Sequence, residues 1–375
     1  MKKLVILAAL TMVAPAAMAS KARVQSLANS RQIVDIQNAF DRPYQFMQLS
    51  SMATFEWGTN SQTAVMAPPQ TMNFGDRHAE GGFLNREEDR AYGLYFGRRS
   101  DAFSGAITAG FLSGVFTSPV LQEQNPINVF YASKMGDWTW GVTGKYSSGK
   151  NDTNDTKSSS SGIALGATNG ALEIELVQGF GGKTENATES VESKAMTQVG
   201  VGYKFAENME VYGQYQMVKA DGTGNGFDNT VLDLTRYEVG FVNSAVKTDD
   251  VNFFYGVAYR SENREVKNGD IKSESATLPV WLGVEANAAS WLVFRGSISQ
   301  SILLNEVKTE VSPAAETKAD LDSIAFNAGV GIKLGNGMLD ANFATAANGS
   351  LNFGNGDVAG GGQEFLSNVA YTYNF

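Results

Sequence analysis

The sequence predicts an all-β chain that crosses a membrane as a closed, antiparallel, up-and-down barrel of about sixteen strands, with fourteen as the alternative. Three observations predict it. Short segments alternate strictly. Val199, Val201, Tyr203 and Phe205 share one face, while Gln198, Gly200, Gly202 and Lys204 share the other. After Ala206-Glu207-Asn208 the next segment sets Val211, Gly213, Tyr215 and Met217 against Glu210, Tyr212, Gln214 and Gln216. A period of two with apolar residues on one face suits a strand between lipid and water. Connections are sorted by length. Tight turns at 135–137, 168–170, 287–290 and 335–337 hold Gly, Asn or Asp, whereas the hydrophilic segments 147–160, 181–193, 261–270, 301–321 and 346–362 are long. Finally, the chain closes on a strand, EFLSNVAYTYNF. Phe365, Val369, Tyr371, Tyr373 and Phe375 fall with Ser367 on one face, opposite Glu364, Asn368, Ala370, Thr372 and Asn374.

The elements follow in order. Lys2 and Lys3 precede an apolar run from Leu4 to Ala14, and Ala17-Met18-Ala19 has the A-x-A form of a signal-peptidase site, so residues 1–19 are expected to be an export signal and Ser20 the first mature residue. Removing Lys2 and Lys3 takes the basic residues from 29 to 27 against 39 acidic ones, a net charge of -12 that argues against nucleic-acid binding. No later run reaches the eighteen apolar residues of a membrane helix, as expected when only alternate residues meet lipid. The chain has no cysteine, so its stability must come from packing and a closed hydrogen-bonded wall.

Residues 20–44 break the alternation. Leu27, Ile33, Val34, Ile36, Ala39 and Phe40 suit a short amphipathic helix or turn, either periplasmic against the first strand or inside the lumen as a plug. The barrel proper is expected over 45–375. Its strands are predicted near 45–57, 88–98, 103–111, 127–135, 138–147, 160–168, 171–181, 194–205, 209–219, 231–242, 250–260, 274–286, 290–300, 322–334 and 338–346, before the last. Trp138, Trp140, Tyr203, Phe205, Trp291, Tyr371, Tyr373 and Phe375 lie near the tight-turn ends and suit an aromatic girdle, with Trp57 at the other rim.

Catalytic chemistry has little to work with. His78 is the only histidine and is expected in an exposed loop, far from any motif-placed Ser or Asp. No Cys/His cluster suits zinc, and the NDTNDT stretch at 151–156 lacks the Gly and distal Glu of a calcium loop. We therefore expect no enzyme, cofactor or metal. The informative set is the face opposite the lipid. Strand phase puts Lys134, Lys145, Glu173, Glu175, Lys204, Glu210, Arg236, Glu238, Arg260, Glu285, Arg295, Lys333, Asp340 and Glu364 inside. Charges at this density suit a wet lumen, because a basic residue facing hydrocarbon costs about 2–4 kcal/mol at the midplane. Within it Arg236, Arg260 and Arg295 with Glu238 and Glu285 are candidates for a transverse field that sets selectivity.

The terminal strand resembles the assembly signal of Gram-negative outer-membrane barrels, with Asn368 at the polar position, Tyr371 and Tyr373 apolar and Phe375 the terminal aromatic; Ala370 stands where that pattern has Gly. Beyond residue 44 the chain resembles an outer-membrane general porin. The resemblance implies an outer-membrane location among phospholipid and lipopolysaccharide, delivery by the outer-membrane assembly machinery, passive diffusion of small hydrophilic solutes and ions, and often a homotrimer. One departure matters. The segment 148–160 (SGKNDTNDTKSSS) lacks the Pro-Glu-Phe-like motif of the porin constriction loop, so 58–87 or 112–126 would have to narrow the pore. The rival expectations are a surface structural protein or adhesin anchored by a barrel, and a substrate-specific transporter plugged by residues 20–44.

Overall fold

The computed structural model describes residues 20–58, 78–99, 123, 125–152, 155–224, 227–267, 271–311, 315–320, 324–344 and 368–375. Its strands are β1 Met52–Gly58, β2 His78–Arg86, β3 Arg90–Phe96, β4 Ile127–Met135, β5 Trp138–Asn151, β6 Thr156–Thr168, β7 Leu172–Glu185, β8 Ser190–Ala206 and β9 Met209–Gly224. They continue as β10 Phe227–Lys247, β11 Val251–Lys267, β12 Ile271–Ala289, β13 Leu292–Val311, β14 Ala315–Asp320, β15 Ala325–Leu334, β16 Gly337–Ala344 and β17 Asn368–Asn374. Apart from β14 and β15, neighbours in sequence pair antiparallel, and β1 closes on β17 with Met52 opposite Asn374 and Gly58 opposite Asn368. β14 and β15 both pair with β13, over Glu306–Val311 and Leu292–Ser299 respectively. The two short strands thus occupy one position in the wall, which has sixteen.

Along the strands the alternation gives the right phase, although Leu49, expected on the outward face of the first strand, is buried with the lumenal segment before that strand begins. In β1 Thr54 and Glu56 are buried while Phe55 and Trp57 are exposed, and Val199, Tyr203, Tyr215, Tyr237, Tyr371 and Tyr373 all face outward. Gly136, Gly170 and Gly335 take the positive φ their tight turns require. Three expectations need correction. The strand expected from residue 45 starts at Met52, because Pro43–Gln48 is a 3-10 turn inside the lumen. His78 opens β2, opposite Gly58, where a loop was expected; the Gly and polar residues around it hid the period of two. The long surface loops are mostly hairpin: β13 runs for 20 residues and β5 and β6 pair out to Asn151 and Thr156. Above the membrane both faces are wet, so the hydrophobic alternation stops while backbone pairing continues. The strand expected at 103–111 and residues 364–367 lie outside the described residues.

Phe375 continues the outward row of Tyr371 and Tyr373, is 63% exposed, and its backbone N–H reaches Ser51 O at 3.2 Å beside the seam. Deleting it is expected to reduce folded, heat-modifiable barrel in the outer membrane while export to the periplasm stays normal. Undiminished folded barrel from the deletion would separate this residue from assembly.

Of the two placements open to the N-terminal segment, the lumen is the one it takes. Where a short helix or turn was expected, the segment forms two short helices. Ser20 caps α1, Lys21–Ser26, by accepting from Arg23 N, and Asp35 caps α2, Ile36–Ala39, by accepting from Gln37 N. Between them Ala28 and Asn29 adopt φ of 57° and 51°, which reverses the chain. On one side Ile36, Ala39, Phe40, Phe46, Met47 and Leu49 pack against Met52, Leu84, Ala91, Tyr95, Phe130 and Ala132 of the wall. Phe46 stacks on Phe130 with centroids 4.0 Å apart, and on the other side Leu27 and Ile33 meet Phe254. The wall is shaped for this guest. A Cβ on Gly141 would lie 2.5 Å from the Pro43 backbone, and one on Gly329 would collide with Ser26.

Candidate functional site

Three buried polar clusters join this plug to the wall near the tight-turn end of the barrel. In the first, Arg31 projects from the reversal between α1 and α2. It donates to Glu210 Oε1 at 2.8 Å from β9 and to Glu175 Oε1 at 3.0 Å from β7. Glu173 is 3.5 Å from the same guanidinium and also receives Tyr44 Oη at 2.8 Å and Lys204 Nζ at 2.7 Å. Arg42 reaches Glu175 at 3.9 Å. Three carboxylates and three cations therefore balance. Such fork-like charge-assisted bonds are the strong kind.

In the second cluster Arg23 of α1 donates to Glu285 from Nε at 2.9 Å and from Nη2 at 3.0 Å, and lies 3.4 Å from Asp35. Arg295 binds the same Glu285 at 2.7 Å and Asp340 at 2.6 Å. The third is built on Gln37, whose Nε2 donates to Glu56 at 2.7 Å and Glu80 at 2.8 Å. Tyr95 Oη lies within hydrogen-bond reach of both carboxylates, Lys21 pairs with Glu80, and Arg98 donates to Gln37 Oε1 at 3.1 Å.

The residues expected to line the lumen fall at three levels. Lys134 lies exposed at the tight-turn rim, and Lys333 donates to Asn287 at 2.8 Å nearby. Lys204, Glu210, Glu285, Arg295 and Asp340 belong to the plug clusters. Arg236, Glu238, Arg260 and Lys145 stand further along the barrel, where Arg236 pairs with Glu262, Arg260 with Glu238 at 2.7 Å, and Lys145 with Glu123 at 2.6 Å. The expected transverse field of three arginines and two glutamates is therefore corrected. Arg295 and Glu285 sit beside the plug, with the Arg295 side chain 0% exposed, while Arg236, Arg260 and Glu238 form pairs on the β10–β11 wall. Strand phase gave the face; the level along the axis needed the register.

Sequence reasoning missed Glu56, Glu80, Glu262 and the plug's own Arg23, Arg31 and Asp35. For Glu56 the signal was present, since Phe55 and Trp57 outward place it inward. Beyond the plug clusters the inward face also carries apolar groups between its ion pairs. Met196, Val218 and Leu234 cluster with Val177, and Ala220, Leu232 and Val266 with Ile271. A small open-sided hollow lies between Phe40 of the plug and the wall residues Thr143, Lys145, Ile163, Gln178 and Met196. Thr143 Oγ1 is buried there without a hydrogen-bond partner among the described residues. No group of described residues could hold a metal ion.

A closed sixteen-position barrel with an outward apolar belt and a plugged lumen defines a transmembrane β-barrel of the outer-membrane type. No protein-family model matches the chain, and no curated protein matches it either. Among solved structures it is similar to the toluene transporter TbuX of Ralstonia pickettii, with 11% identity over 95% of this chain and 98% of that one and a TM-score of 0.41. A FadL homologue of Pseudomonas aeruginosa gives 11% identity over 94% and 98%, with a TM-score of 0.40. OmpT of Vibrio cholerae, in a trimer form, gives 12% over 87% and 98%, with a TM-score of 0.38. Similarity this weak leaves the functional reading to the chain's own geometry.

Proposed function

We propose that the protein is a plugged outer-membrane transporter for small solutes that carry an apolar body and a polar group, and that the plug must shift for a solute to pass. One observation carries this reading: residues 20–49 pack inside the lumen and are tied to β1, β2, β7, β9, β12 and β16 by buried charged and polar contacts. A passive pore gains nothing from so extensive a seat. The apolar inward clusters beyond it support a solute less hydrophilic than those of a diffusion porin. A diffusion porin is the second reading, favoured by Arg236 and Arg260, whose side chains keep 32% and 43% exposure and so hold water in the lumen.

Planar-bilayer conductance separates the readings. The mature protein is expected to stay closed or to open in rare, brief events, and a chain lacking residues 20–48 to give large, stable steps. Large stable steps from the intact protein would establish the porin. Silence from both would return the barrel to a surface anchor.

A further inference from the structure

Ser20 and Asp35 are both wholly shielded from solvent. Ser20 N lies 3.0 Å from Asp35 Oδ2, and Ser20 Oγ lies 3.1 Å from Asp340 Oδ2. Around them Arg23 and Arg295 pair with Asp35, Glu285 and Asp340. Those five side chains, ionised, carry three negative charges and two positive ones, so among the described residues one negative charge of this buried site is uncompensated. Buried ions without compensation are expensive. With a peptide N–H facing it, burial pushes the Asp35 carboxyl up to about 7 in spite of Arg23. The nitrogen that faces Asp35 is also the one that cleavage at the A-x-A site would free.

We propose that the α-ammonium of Ser20, released by hydrolysis of the Ala19–Ser20 bond, is the sixth ion of this cluster and locks the plug into the lumen. Hydrolysis consumes one water. The hydroxyl stays with the Ala19 carbonyl, which leaves as a carboxylate on the signal peptide, and Ser20 N gains the protons, becoming an ammonium near neutral pH. Before cleavage that nitrogen offers one hydrogen and no charge; afterwards it offers a full charge to Asp35. Seating of the plug thereby becomes conditional on completed export. An ammonium at the start of a helix opposes the backbone dipole, but α1 has only 6 residues and the carboxylate stands directly against the nitrogen.

The test uses the protein purified from outer membranes, with its first residue read by mass spectrometry. It is then treated with an amine-acylating ester, folded and in urea. Ser20 is expected at the terminus, and its α-amine is expected to react at least roughly a hundredfold more slowly in the folded barrel, since acylation must await local opening. Asp35→Asn is expected to return at least about tenfold of that reactivity while the barrel stays heat-modifiable, because a buried ammonium without its counter-ion is poorly held. The proposal is overturned by a different first residue, by folded and urea rates within about threefold of one another, or by protection unchanged in a folded Asp35→Asn protein. Should that variant fail to fold, labelling of the parent protein decides alone.

Discussion

Arg31→Met is expected to unseat the plug while leaving the barrel closed. The substitution keeps much of the side-chain volume but leaves Glu173, Glu175 and Glu210 with Lys204 and the more distant Arg42 as the cations beside them among the described residues. Removing one partner from a buried ionic network costs about 3–5 kcal/mol, and the Arg31 side chain is only 10% exposed, so solvent screens little of it. Proteolysis within residues 20–49 should become fast, and conductance should approach that of the truncated chain. The wall hydrogen bonds are untouched, so heat modifiability should persist. Arg31→Lys should fall between, because an ammonium keeps the charge but cannot bridge three carboxylates as a planar fork can. A protease-resistant plug and a closed channel in Arg31→Met would show that the Arg23 and Gln37 clusters and the apolar packing around Phe40 and Phe46 hold the plug without Arg31.

Tyr215→Arg carries the second large effect, this time on the wall. Tyr215 is 44% exposed on the outward face, paired with Tyr237 of β10 and Val199 of β8. An arginine there is expected to cost about 2–4 kcal/mol if it lies near the midplane, whereas Gln216→Arg, one residue away and facing the lumen, should change little. At Gln214, whose amide lies 3.3 Å from Glu175, an arginine gains a carboxylate and should be tolerated best. Equilibrium refolding into lipid vesicles measures all three. The reverse order would put the apolar face inside.

Much of the wall was legible because a strand between lipid and a polar lumen keeps a strict period of two. Val199, Tyr203 and Tyr215 announce both strand and phase. Where lipid stops dictating, legibility stops. The outer reaches of β5, β6 and β13 read as polar loops, since Ser158, Ser159 and Lys308 satisfy a hairpin in water as well as they satisfy a loop. β2 was lost for a related reason: Gly81 and Gly82 pass close to Phe55 and Tyr95, and glycines chosen for close approach carry no face. The plug was legible only as a break in pattern. Its buried surface is divided between two helices set by Ala28 and Asn29, and its partners are carboxylates scattered from Glu56 to Asp340. The pairing of Arg31 with Glu175 or Arg23 with Glu285 depends on which strands curl round to face the same few residues, and that is a property of closure, not of any local window.

The seat of the plug also imposes an order in time. Gln25 Oε1 accepts from Asn342 at 3.0 Å and from Asn368 at 2.6 Å, partners 317 and 343 residues further on. The segment synthesised among the first is thus housed by strands synthesised last, and its pocket does not exist until β16 and β17 have joined β1. Throughout the crossing of the periplasm Phe40, Phe46 and Ile36 have no wall to cover them. Until the seam closes, the apolar side chains of this front segment depend, like those of the wall, on whatever shields the unfolded chain, and the last hydrogen bonds of the seam end that need for the plug.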